Sequence, residues 1–132
     1  VIAACQQPHQ FSYLYPLDLS IEDKIRRIAT KIYHADDVIF TRSAQQSIDK
    51  CVAMGYGSLP VCVAKTQYSL SDDPTLLGRP EGFVITVREI RLSAGAGFVV
   101  ALTGEVMTMP GLPKTPAALS IDVIDGKIVG LF

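Results

Sequence analysis

The 132-residue sequence has no tryptophan, only two histidines and three cysteines, and no excess of either charge: 12 Lys and Arg face 13 Asp and Glu, a formal net charge of -1. A pI near 6.1 leaves no electrostatic footprint for nucleic acid or an anionic membrane, so neither is an expected partner. The longest apolar stretches, such as 97–102, fall far short of the roughly 20 residues a membrane helix needs. Val1 to Cys5 lacks the basic start and apolar h-region of a signal peptide. Cys5, Cys51 and Cys62 are widely spaced with no CxxC pair, and only His9 and His34 stand ready to join them on a metal. Three reduced thiols, no metal site and a cytoplasmic setting are therefore expected.

What the chain has in plenty is apolar surface. Hydrophobic residues make up 48% and charged residues 19%, with a mean hydropathy of +0.30. That is rich for a small soluble domain, so some of the surface is expected to belong to an interface. The length suits one compact domain or two small ones, burying roughly two-thirds of the unfolded surface. Because the first residue is not Met and VIAACQQ reads as the last turns of a helix, a piece of a longer protein is expected.

The first half alternates helix and strand. Ser20 can cap a helix over about 21–33, with Glu22 and Asp23 at the positive end of its dipole. Ile21, Ile25, Ile28, Ala29 and Ile32 form its apolar face, leaving Lys24, Arg26, Arg27 and Lys31 for solvent. Ser43 with Gln46 is a second capping box, opening a helix over about 43–54 with Ala44, Ile48, Cys51 and Val52 inward and Gly55 at its C-terminus. Val38 to Thr41 is a short strand between them. Leu59 to Ala64 is continuously apolar, as in a strand (about 60–65) buried on both faces of a parallel sheet.

From Ser69 to Gly82 the composition turns to SLSDDPTLLGRPEG, which is loop chemistry and a candidate boundary. Beyond it Phe83 to Leu92 and Phe98 to Leu102 read as strands, and 121–129 as a hairpin turning on Asp125-Gly126. The fold class expected is therefore α/β over residues 1–80 followed by a small mostly-β α+β domain over 81–132.

Three stretches are candidate sites. Ser93, Ala94, Gly95, Ala96 and Gly97 resemble a dinucleotide fingerprint, but a strand follows, so no helix N-terminus meets a phosphate. The glycines permit either tight strand packing or close approach by a ligand. Met109, Pro110, Gly111, Leu112, Pro113, Lys114 and Thr115 form a proline-fixed loop, either a rigid connector or an anion-holding display of Lys114 and Thr115. Lys65, Thr66 and Gln67 follow the apolar strand, where ligands collect in open α/β sheets; Lys65 either neutralises a phosphate or snorkels at a strand end. Asp36-Asp37 and Asp72-Asp73 read as turn chemistry rather than magnesium or general-base pairs.

The run LPVCVAKTQYSLSDDPTLLGRPEGFVITVREIRLSAGAGFVVALTGEVMTMPGLPKTPAA, together with FSYLYPLDLSIEDKIRRIATKIYHADDV and the terminal GKIVGLF, resembles the C-terminal part of formate-tetrahydrofolate ligases over essentially the whole chain. The resemblance implies a cytoplasmic one-carbon enzyme, typically a homotetramer. It would join formate to tetrahydrofolate with ATP through formyl phosphate, using magnesium and a monovalent cation (K+ or NH4+). It also implies a P-loop-type domain lying N-terminal, because no G-x-x-x-x-G-K-[ST] occurs in these residues. On this reading catalytic residues lie upstream, the chain alone is inactive, and the three stretches above line the nucleotide side of a cleft. A free-standing nucleotide-binding or oligomerisation module with the same fold is the alternative.

Overall fold

The computed structural model describes residues 1–8, 10–104 and 115–130. After a single turn, α1 (Ile2–Cys5), the chain reaches α2 (Ile21–Ile28), where the Ser20 hydroxyl accepts the Asp23 backbone N–H at 3.0 Å. That bond satisfies one of the orphan donors of the first turn. α2 runs into a π-helical turn, Ala29–Tyr33, closed by His34 in a left-handed conformation (φ 61°). The wider turn shifts the apolar stripe: Ala29 stays buried while Ile32, expected inside, is 52% exposed. Lys24, expected in solvent, is fully buried; its Nζ donates to Gly57 O at 2.7 Å and Leu59 O at 3.0 Å. A buried ammonium is tolerated only with such acceptors.

Helix α3 (Arg42–Ala53) is capped by Thr41, whose Oγ1 accepts the Ala44 N–H at 3.2 Å. The expected cap, Ser43, already lies within the helix because Thr41 is the last extended residue (φ -67°, ψ 161°). Ala44, Ile48 and Cys51 face inward, but Val52 lies outside this narrow stripe and is exposed. The helix ends in a Schellman motif: Tyr56 N–H bonds Cys51 O, Gly55 N–H bonds Val52 O, and Gly55 takes the positive φ (84°) the motif requires.

Four strands form one mixed sheet: β1 (Asp37–Phe40), β2 (Val61–Ala64), β3 (Val84–Ser93) and β4 (Phe98–Thr103), in the order β1-β3-β4-β2. β1 is parallel to β3 and β2 to β4, whereas β3 and β4 are antiparallel, with an irregularity between Val87 and Glu89. The first two strands precede the 69–82 loop and the last two follow it, so this sheet draws on both sides of residue 80. The described unit is a small mixed α/β fold. Val38, Ile85, Val87, Val99 and Ala101 pack with Ile21, Ile25, Ala29, Ala44 and Ile48 into the core.

β2 does not have the double cover expected of it. It is an edge strand, half-buried at Val61, Val63 and Ala64 and exposed at Cys62. Helices α2 and α3 pack on one face of the sheet, and β4 pairs with one edge of β2. On the outer edge the Tyr15 hydroxyl substitutes for a neighbouring strand at Val61, accepting its N–H at 2.9 Å and lying 3.4 Å from its carbonyl. The terminal hairpin, β5 (Asp122–Ile124) and β6 (Lys127–Val129), turns on Asp125 (φ 50°) and Gly126 (φ 74°), both positive as a type I′ turn demands. Among the described residues no helix is long and apolar enough to cross a membrane.

Candidate functional site

Polar chemistry gathers at the end of the sheet where β2 and β4 finish and β1 and β3 begin. The two strand ends are tied together by Thr103, which is buried and donates from Oγ1 to Ala64 O at 3.2 Å. Lys65 comes next. Its Nζ donates to Thr66 O (2.9 Å) and Ser69 O, and lies 5.4 Å from the centre of the Tyr33 ring, which arrives from the π-helical turn. Loss of solvent pushes the Lys65 ammonium below the ordinary lysine value. The Tyr33 phenol is pushed up by burial first, and by the neighbouring Cys62 second.

The loop beyond is held by its own side chains. Thr66 is buried, with Oγ1 accepting the Tyr68 N–H at 3.3 Å, while Gln67 and Tyr68 face solvent. The buried hydroxyls of Ser69 and Ser71 lie 2.9 Å apart, and Ser71 Oγ donates to Asp73 O at 3.1 Å. The Asp73 carboxylate accepts the Thr75 hydroxyl at 2.7 Å and N–H at 2.8 Å, bonds that hold its pKa below the usual range. Asp72 Oδ2 accepts the Thr86 N–H at 2.8 Å, filling a rung that β4 is too short to reach. Gly104 sits against this loop at φ 57°, where a Cβ would come within 2.4 Å of Asp72 O, so no other residue fits.

This arrangement fixes the local roles of the expected residues. Lys65, Thr66 and Gln67 do sit at the carboxyl end of a parallel strand, but the Lys65 ammonium is committed to two carbonyls of its own loop. Asp72 and Asp73 each accept backbone N–H groups, in keeping with turn chemistry. Asp37 pairs with Arg26, whose guanidinium also lies 5.5 Å over Phe40. Ser93 to Gly97 form the β3–β4 turn, with Gly97 at φ 74° and its N–H on Ser93 O at 2.9 Å. That turn is at the opposite end of β4 from Lys65, about 17 Å away at roughly 3.4 Å per residue. Met109 to Lys114 lie outside the described residues, and Thr115 is exposed.

Thr103 and Gly104 hold this end, Tyr15 and Lys24 hold the opposite end of β2 through Val61, Gly57 and Leu59, and none of the four was marked as a site by the sequence. Lys24 stands among isoleucines at helical spacing with nothing local to mark its carbonyl partners 33 and 35 residues away. Ser69-Leu-Ser71 before two aspartates was the readable signal, as side-chain-capped turn chemistry. Among the described residues no three His, Cys, Asp or Glu come together to hold a metal ion.

The chain forms a small mixed α/β unit in which the 65–78 loop leaves the carboxyl end of β2. A family model for formate-tetrahydrofolate ligase matches residues 1–132. The formate-tetrahydrofolate ligase of Symbiobacterium thermophilum is 58% identical over 133 residues, covering 100% of this chain and 24% of that protein. The chain belongs to the formate-tetrahydrofolate ligase family, and it spans about a quarter of the length of this relative.

Proposed function

We propose that this chain is the part of an ATP-dependent formate-tetrahydrofolate ligase that supplies an accessory wall of the nucleotide cleft. The reaction is formation of 10-formyltetrahydrofolate through formyl phosphate, and the P-loop and catalytic residues belong to the remainder of the polypeptide. The observation that carries the reading is 58% identity across the full length of the chain. Phosphoryl transfer to formate depends on positioning and electrostatics more than on covalent help, so a rigid wall is a sufficient contribution. By itself the chain binds nucleotide weakly or not at all.

The wall is assigned to the 65–78 loop with Met109 to Thr115. Lys65 acts by shaping the loop through Thr66 O and Ser69 O, leaving Gln67 and Tyr68 as the exposed tips. Ser93 to Gly97, at the far end of β4, meets a different part of the ligand or of the polypeptide. Magnesium and the monovalent cation that the resemblance implies are assigned to the remainder too. The whole enzyme is proposed to be a cytoplasmic homotetramer, as the family resemblance implies.

Lys65→Ala in the full-length ligase is the test. With the loop released, the KM for ATP is expected to rise by about tenfold with a smaller fall in kcat, the pattern of lost binding rather than lost chemistry. Unchanged ATP kinetics would remove the loop from the cleft.

A further inference from the structure

Among the described residues, α2 and α3 lie over one face of the sheet and no helix is packed on the other, where Ala64, Val100 and Leu102 are half-buried and Ile39, Cys62 and Val84 are exposed. Register and alternation place Ile39 of β1, Val84 of β3, Val100 and Leu102 of β4, and Cys62 and Ala64 of β2 on the side away from α2 and α3. All six are apolar or nearly so. Ile39 is 56% exposed and Val84 39%, while their strand neighbours Val38 and Ile85, on the helix side, are 2% and 1%. The same face also carries polar residues: Thr86 stands beside Ile39, and Glu89 and Arg91, joined by bonds of 3.0 and 3.1 Å, stand beside Leu102 and Val100.

Two further observations say what belongs there. Sheets that are parallel throughout occur almost only with both faces covered, and two of the three strand pairs in this mixed sheet, β1 with β3 and β2 with β4, are parallel. The continuous apolar run through β2 is of the kind that needs cover on both faces, yet it stands half-open. The relative carries this sequence as only 24% of its length, so about three-quarters of such a polypeptide lies outside the chain.

We propose that the open face is the docking surface for the rest of the same ligase polypeptide, which supplies the second layer over β1, β3, β4 and β2. This rests on the reading that the chain is part of that longer enzyme. It assigns the contact to a particular face, and so places the remainder against the side opposite α2 and α3.

Cys62, at the edge of that face, reports on it. The full-length ligase is treated with iodoacetamide, native and in urea, and alkylation at Cys62 is followed by peptide mass spectrometry. The expected result is labelling at least about tenfold slower in the native protein than in urea, at all protein concentrations down to the monomer. Native labelling at the urea rate overturns the proposal. Protection that vanishes on dilution to monomers also overturns it, in favour of a second copy on this face. Ile39→Lys in the full-length protein should release Cys62 to rapid labelling while the core thiol Cys51 stays protected, and an unchanged Cys62 rate would overturn it. The labelling is read without turnover, so it is decided whatever the ATP kinetics of Lys65→Ala prove to be.

Discussion

Within each strand of the sheet, residues one apart lead different lives. Val38 and Ile85 pack under α2 and α3, and Ile39 and Val84, of the same chemical type, stand open on the other side. For these four, residue type does not distinguish the two faces. The helix side is packed mainly with apolar residues, whereas the open face sets Ile39, Val84, Val100 and Leu102 beside Thr86, Glu89 and Arg91. That pairing is what a cut through a larger α/β structure would leave.

The sharpest way to separate the two faces is to remove side chain from the covered one. Ile85 is 1% exposed at the centre of the cluster formed by α2, α3 and the sheet. Ile85→Ala is expected to cost about 2–5 kcal/mol, the lost transfer energy plus the cavity. Urea unfolding of the 132-residue chain, followed by far-UV circular dichroism, measures it. A loss as small as that of an exposed position would mean the helices do not cover this face in solution.

Helix and strand positions were largely legible because their signals are local: Ser20 at a cap, Gly55 at a C-terminus, Asp125-Gly126 at a hairpin turn. The structure moved details that depend on distant partners. Lys24 has the charge of a surface residue, and only the carbonyls of Gly57 and Leu59 make its burial tolerable. Ile32 kept helical spacing, but a π turn rotated it outward. The candidate site was half legible. Lys65-Thr66-Gln67 follows a parallel strand as expected, but the hydroxyl network of Ser69 and Ser71 and the Asp72 bridge to Thr86 decide what Lys65 does. Ser93 to Gly97 looked like a partner of that loop, and only the direction of β4 puts it at the other end.

Lys24 supports the covered face from beneath, and the next effect in size belongs to it. Lys24→Met keeps the stem and leaves two inward-facing carbonyls without a donor, an expected cost of about 1–3 kcal/mol in the same urea experiment. The pH dependence has a definite sign. Burial lowers the Lys24 pKa in the folded state, and the charge of Asp18 only partly opposes this. Between the folded value and the ordinary lysine value the unfolded chain binds more protons, so stability rises with pH across that alkaline window. Lys65, also lowered by burial, contributes in the same direction. In Lys24→Met the slope should flatten, and an unchanged slope would mean Lys24 does not supply it.

The smallest effect is expected on the open face, and it is the one that discriminates best. Ile39→Thr keeps β-branching on β1 and changes a residue that is 56% exposed, so the 132-residue chain should lose no more than about 0.5 kcal/mol. With the face covered in the full-length ligase, the same substitution places a hydroxyl in a packed contact and should cost more, as a buried hydroxyl without a partner does. The comparison is the change in urea midpoint of the segment containing β1, followed by hydrogen exchange in both proteins. Equal small losses in the two would show that Ile39 remains open to solvent in the larger enzyme. A clear excess loss in the full-length protein would show that the two faces of this sheet, so different in the isolated chain, become alike once the polypeptide is whole.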